Sequence, residues 1–381
     1  MNSPIVAVVG GGQLARMMAP AATALGITLR VLVESEQASA AGAAHETVVG
    51  LPTDPDAVRR LLGAPRPDVV TWEHEHIPAE VFDQCAAARV PARPGAQALR
   101  FAQDKIEMRA RMDELRLPNP AWRVVETDAD VAAFLDAHGG QGVLKTARGG
   151  YDGKGVRVIR EVADAHDWIA SAAAGGPRLL IEAKVGFRRE LAVQVARRPS
   201  GDCAVWPVVE SIQRDGVCSE VTAPAPDLAP ELAEQARAMA ITIAESLDVT
   251  GVLAVELFEV EGALIINELA MRPHNSGHWS IDGAVTSQFE QHLRAVLDLP
   301  LGDTAAHSPW TVMANVLGGE RQDLGDALVE VGDPGAKVHL YGKGVRRGRK
   351  VGHVTVTGAD CDDTYRRAVE AAAIVRDGGA A

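Results

Sequence analysis

Aromatic residues are scarce in this chain, 4% of 381 positions, so a core must be built from aliphatic side chains, chiefly Ala, Val and Leu. The four cysteines, Cys85, Cys203, Cys218 and Cys361, stand far apart with no Cys-x-x-Cys pair. That spacing offers neither a zinc site nor a disulfide frame and points to reduced thiols in a cytoplasmic protein. No stretch approaches the roughly 20 uninterrupted apolar residues that span a bilayer, so no membrane segment is expected. The first residues carry no basic stretch and run straight into an apolar strand pattern, so no secretory signal is expected. Positive charge is in deficit as well. A formal net charge of −13 repels nucleic-acid phosphates at long range and argues against such a partner. Any anionic ligand must be caught by local groups.

What the chain does have is length and alternation. At 381 residues it exceeds one compact core, and two or three domains are expected. Residues 5–9 form a continuous apolar run that stops at Gly10-Gly11-Gly12. A helix is predicted over 14–25, with Gly26 as its stop, and a second apolar run over 29–33 ends at Glu34. This tight β-α-β order calls for a parallel sheet with helices on its faces. Asp54-Pro55 opens another helix reaching Leu62, and 68–71 reads as a strand. A charged amphipathic helix predicted over 101–115 leads to the break Pro118-Asn119-Pro120 and is read as a domain boundary. Between 143 and 195 short β runs alternate with glycine-rich loops and a helix near 164–171. A proline-rich connector, 224–230, feeds a helix over 231–247. Strands are predicted over 253–260 and 264–269. Beyond Leu301, short β-prone pieces and a basic turn suggest a small closing domain. The expected domains are thus 1–101, 102–300 and 301–381.

The first glycine loop, Gly10-x-Gly12-x-x-Ala15, lies between a strand and a helix, with Glu34 at the spacing of a ribose contact. Its backbone N–H groups and helix N-terminus suit any phosphate, so the loop leaves open a cofactor diphosphate, a substrate monophosphate or a structural turn. A second loop runs from Lys145 through Arg148, Gly149, Gly150, Tyr151, Asp152, Gly153, Lys154 and Gly155 to Val156. Its glycines let backbone close over a polyphosphate while its lysines supply charge; a glycine-rich hairpin tip is the plainer alternative. The pattern departs from Gly-x-x-x-x-Gly-Lys-Ser/Thr, which disfavours a P-loop enzyme.

Glu256 and Glu268 are acidic residues inside otherwise apolar strands, and buried carboxylates are costly unless paired or bound to a cation. Placing them as direct cross-strand partners, with an index sum of 256 + 268 = 524, requires an odd-length loop such as Glu261-Gly262-Ala263. The pair could then hold Mg2+ against phosphate oxygens, or be satisfied by Arg or Lys. The polar string from Arg272 to Trp279 follows directly, with His274 and His278 better suited to hydrogen bonding than to metal. Lys343-Gly344-Val345-Arg346-Arg347-Gly348-Arg349-Lys350 concentrates cations in an acidic chain. It reads as a solvated loop or an anion site.

In these segments the sequence resembles the N5-carboxyaminoimidazole ribonucleotide synthetases, biotin-independent ATP-grasp carboxylases of purine synthesis. The likeness covers nearly the whole chain and is carried by Gly10 to Met17, Gly149 to Gly155, Asn267-Glu268-Leu269-Ala270, Arg272 to Trp279 and Gly348 to His353. It implies an α/β ATP-grasp fold with an N-terminal Rossmann-like domain, a lid near 119–187, a small β-rich C-terminal domain, and a homodimer. It implies ATP as co-substrate, Mg2+, bicarbonate and 5-aminoimidazole ribonucleotide, with no biotin. By the resemblance, Lys105, Lys145 and the Gly150–Val156 loop contact ATP phosphates. Glu182, Ala183, Lys184 and Val185 frame the adenine, Glu190 holds the ribose, and Gln213 and Asn267 complete the nucleotide site. Glu256 and Glu268 bind Mg2+. Gly12, Gln13 and Leu14 would hold the substrate phosphate in place of a dinucleotide. Glu73, His274, Asn275 and Lys350 line the substrate, and Arg272, Lys343, Arg349, Tyr151 and Asp152 act on the reacting groups. Similar proteins often carry Arg where Lys105 stands and His where Gln213 stands.

Overall fold

The computed structural model describes residues 3–150 and 155–378; Tyr151, Asp152, Gly153 and Lys154 lie outside the described residues. The described residues form three sheets. The first is four-stranded and parallel, in the order Glu46–Val49, Thr28–Val33, Ile5–Val9, Val69–Trp72. Ile5–Val9 is buried at every position, which is why it reads as an unbroken apolar run and not an alternating one. The helix Gln13–Leu25 follows the glycine loop and ends at Gly26, whose φ of 68° is the left-handed stop that glycine adopts freely.

A second sheet is antiparallel and four-stranded, in the order Trp122–Val125, Leu179–Ala183, Gly142–Thr146, Val156–Ile159. The third is nine-stranded. Its path runs Ala263–Ala270, Gly251–Val260, Arg189–Arg197, Val209–Arg214, Val217–Ala223, Trp310–Leu317, Lys350–Gly358, Lys337–Leu340, with Cys203–Val205 paired beside Arg189–Arg197. The strands beyond residue 300 make no separate sheet. They extend this one through the pairing of Val217–Ala223 with Trp310–Leu317.

The single helix expected over 101–115 is two. Ala96–Gln103 and Lys105–Glu114 are separated at Asp104, whose backbone is extended at φ −131°, ψ 110°. The Asp104 carboxylate accepts from the N–H of Ile106 at 3.0 Å and of Glu107 at 3.3 Å. Capping by an aspartate competes with helix continuation, and here the cap wins.

The parallel sheet and the nine-stranded sheet are riveted by one buried imidazole. His292, on the helix Gln288–Val296, accepts from the N–H of Val252 at its Nδ1, 3.1 Å away. Its Nε2 therefore carries the proton and donates to Thr71 Oγ1 at 2.8 Å. Burial holds the ring neutral and pushes its pKa down to about 3.

Candidate active site

The carboxylate pair reaches its expected geometry by an unexpected route. Glu256 and Glu268 are direct cross-strand partners, as anticipated. The turn between the strands has two residues, however, not three. Val260 pairs with Ala263, and Glu261 and Gly262 take φ of 48° and 79°. Such a turn alone would set Glu256 opposite Asn267. A register shift between Glu256 and Leu257 inserts Asn267 as an extra residue and restores the pairing. The bulge, not the loop length, puts both carboxylates on one face.

Around this pair the cations converge from one helix and one strand. Lys105 Nζ donates to Glu268 Oε1 at 2.5 Å, and Lys145 Nζ to Glu182 Oε2 at 2.7 Å. Burial raises Glu256 to about 7, helped by the like charges of Glu268 and Glu190. Burial pushes on Glu268 the same way, but Lys105, Lys145 and Arg109 outweigh it and hold Glu268 below the usual carboxylate range. Burial also lowers Lys145 despite Glu182 beside it. Glu190 is raised by burial.

A second group gathers at the first glycine loop. A β-carbon on Gly12 would lie 1.7 Å from Glu73 Oε1, so any larger residue there would have to displace that carboxylate. Glu73 Oε2 accepts from the N–H of Ala15 at 3.2 Å. Burial pushes Glu73 up to about 7, against the pull of that N–H and of Lys343. Lys343 Nζ hydrogen-bonds Gln13 Oε1 across the fold, and burial lowers its pKa. Ser39 Oγ donates to Tyr341 O at 2.5 Å, anchoring the segment that presents Lys343.

The string after Glu268 spans the two groups. His274 Nε2 lies 3.5 Å from Glu256 Oε1, and Arg272 Nε lies 2.8 Å from Glu75 Oε1, two residues past Glu73. His274 is held neutral, its pKa lowered to about 3 by burial, Arg272 and Lys350. The fully buried amide of Gln288 fixes this loop. Its Oε1 accepts from His274 N at 2.8 Å and from Gln194 Nε2 at 2.9 Å, while its Nε2 donates to His274 O at 2.8 Å and faces His278 Nδ1 at 2.9 Å.

Other expected residues sit as follows. Asn275 is locked to Asn315 by reciprocal amide bonds of 3.0 and 2.8 Å. Gln213 Nε2 donates to Ser211 Oγ at 3.0 Å. The Leu14 side chain is buried in the core behind the parallel sheet, so its main chain is what faces the loop. The Glu182 carboxylate points inward to Arg109 and Lys145, leaving Ala183, exposed Lys184 and Val185 at the strand end. Arg349 Nη1 donates to Gly344 O at 3.1 Å, and Lys350 opens the strand Lys350–Gly358. Gly150 and Gly155 flank the undescribed stretch, and Val156 begins the strand Val156–Ile159.

Sequence reasoning missed Arg109, Glu75 and Gln288. Arg109 had a signal: it stands four residues after Lys105, on the same helix face, among Ile106, Met108 and Met112. Gln288 had none.

Two hard oxygen donors beside lysines suit Mg2+ bridged to phosphate oxygens and water. Among the described residues no group of three or more His, Cys, Asp or Glu could hold a metal unaided, so phosphate oxygens would have to complete the shell. A four-stranded antiparallel sheet, a carboxylate-bearing hairpin and cations between them define an ATP-grasp ligase. Family models agree: ribonucleotide synthetase preATP-grasp domain over residues 4–103, ATP-grasp domain over 110–289, and phosphoribosylaminoimidazole carboxylase C-terminal domain over 311–367.

The relatives are specific. An N5-carboxyaminoimidazole ribonucleotide synthase of Mycobacterium tuberculosis is 50% identical over 378 residues, covering 97% of this chain and 87% of its own. That of Corynebacterium ammoniagenes is 48% identical, covering 96% and 90%. The Aspergillus clavatus enzyme, solved in complex with ADP and 5-aminoimidazole ribonucleotide, is 32% identical with a TM-score of 0.87, covering 99% of each chain. The chain belongs to the N5-carboxyaminoimidazole ribonucleotide synthase family.

Proposed function

We propose that this protein carboxylates the exocyclic amine of 5-aminoimidazole ribonucleotide, using ATP and bicarbonate, in purine biosynthesis. One observation carries the reading: a same-face carboxylate pair with its lysines at one end, and at the other a glycine loop with Gln13 and Lys343, joined by the Arg272–His278 string.

A bicarbonate oxygen attacks the γ-phosphorus of ATP, the bond to the β-phosphate oxygen breaks, and carboxyphosphate and ADP result. The amine nitrogen then takes the carboxyl group, inorganic phosphate leaves, and the amine proton is lost. Glu256 and Glu268 would hold Mg2+, which neutralises charge on the transferring phosphoryl group when bound. Lys105 and Lys145, now paired with Glu268 and Glu182, exchange those partners for phosphate oxygens. Ala183 to Val185 and Glu190 receive the nucleoside. Gly12, Gln13 and Lys343 hold the substrate phosphate, where the helix N-terminus adds its own partial charge. Glu73 and His274 border the aminoimidazole. Arg272, Lys343 and Arg349 stabilise the carboxyphosphate, Lys350 borders the substrate, and Tyr151 and Asp152 help position the reacting groups.

No biotin is involved, and the protein works in the cytoplasm as a homodimer, which sedimentation would test. In a coupled assay, ADP release should require bicarbonate and the aminoimidazole nucleotide. Release supported by formate in place of bicarbonate, or micromolar NADH binding at Gly10, would overturn the reading.

A further inference from the structure

The strand Ala263–Ala270 is the outermost of the nine-stranded sheet, so its outer main-chain groups face no neighbouring strand. Such groups need other partners. Ile266 N donates to Pro118 O at 3.0 Å. Arg109 supplies the complementary donors, Nη1 to Ile266 O at 2.9 Å and Nη2 to Asn267 O at 2.7 Å. These two carbonyls belong to the bulge that brings Glu268 opposite Glu256.

The rest of the guanidinium is committed to the neighbouring sheet and to the linker. Nε donates to Glu182 Oε1 at 2.8 Å, Nη2 to Glu182 Oε2 at 3.2 Å, and Nη1 to Asn119 Oδ1 at 2.8 Å. Every one of the five N–H groups is thereby used, and the side chain is 0% exposed. A guanidinium placed only to neutralise Glu182 would not need the hairpin carbonyls.

We propose that Arg109 is a positioning residue that stands in for a missing strand. It holds the bulge at Asn267 and so keeps both carboxylates facing one cation. The two-residue turn by itself favours the other register, and a slip of one residue would send Glu268 to the opposite face. Through Glu182 the same side chain ties the hairpin to the four-stranded sheet. The inference rests on the metal reading of Glu256 and Glu268.

Arg109→Lys keeps the charge beside Glu182 but offers three donors in place of five. Amide hydrogen exchange on metal-free, full-length protein is read over residues 265–269, and Mn2+ binding in the presence of ADP is read by electron paramagnetic resonance. R109K should exchange at least ~10-fold faster over that segment and bind Mn2+ ~10-fold more weakly, with metal-free ADP binding changed less than ~2-fold. Unaltered exchange and unaltered Mn2+ affinity in folded R109K overturn the proposal. Should R109K fail to fold, wild-type protein still decides. Its amides at 265–269 must be protected to within ~10-fold of those in the central strand Arg189–Arg197, and frayed-edge exchange overturns the proposal. Wild type that binds no Mn2+ with ADP refutes the metal reading instead, while the exchange data judge the strand role separately.

Discussion

Replacing His292 by glutamine tests the rivet between the parallel sheet and the nine-stranded sheet. The imidazole is fully buried and neutral, accepting from Val252 N and donating to Thr71 Oγ1. Because burial lowers its pKa from 6.5 to about 3, its contribution is complete above pH 6.5 and is lost as pH falls. At pH 5 an unfolded imidazole is about 30:1 protonated, while the folded one is about 1:100, a linkage of about 2 kcal/mol that vanishes at pH 7.5. Any folded value well below 5 gives nearly the same figure. A glutamine amide can reach for both partners but does not titrate. H292Q should therefore be about 1 kcal/mol less stable than wild type at pH 7.5, from imperfect packing, and about 1 kcal/mol more stable at pH 5. Urea unfolding followed by tryptophan fluorescence at the two pH values measures the difference. Comparing proteins at one pH cancels the titration of His274, His278, His353, Glu73 and Glu256, which both share. A stability difference that stays constant from pH 7.5 to 5 would refute the buried-neutral assignment.

Other outcomes follow from the two ends of the site. Glu268→Gln should lower bicarbonate-dependent ADP formation at least ~100-fold with circular dichroism unchanged, as suits a lost metal ligand. Lys343→Met should raise the KM for the ribonucleotide at least ~10-fold and leave that for ATP within ~2-fold, since the lysine meets Gln13 and not the carboxylate hairpin. Gly12→Ala should displace Glu73, whose Oε1 would lie 1.7 Å from the new carbon; calorimetry should show ribonucleotide binding lost and ADP binding retained. Asp104→Ala removes the cap of the helix bearing Lys105 and Arg109 and should cost ~1–2 kcal/mol in urea melts.

The sequence disclosed the parallel sheet because Ile5–Val9, buried on both faces, leaves an unbroken apolar run ending in glycine. It disclosed the cross-strand carboxylates because two acids inside apolar strands demand a reason. The bulge stayed hidden, since nothing in Ile266-Asn267-Glu268 announces an extra residue. The break at Asp104 was legible and overlooked: aspartate followed three residues later by Glu107 is a helix-start pattern. That strands beyond residue 300 join the same sheet could not be read, because strand pairing between distant segments leaves no local mark. Gln288 carries no signal either, as its importance lies in the loop it happens to face.

The bond between Gln13 and Lys343 joins residues 330 positions apart. On the ribosome, Gln13 therefore emerges long before Lys343. The carboxylate hairpin, with Lys105 and Lys145, is made between them. A nascent chain can thus pair Glu256 with Glu268 before Lys343 exists to meet Gln13, so the two ends of the site are not completed in the same step.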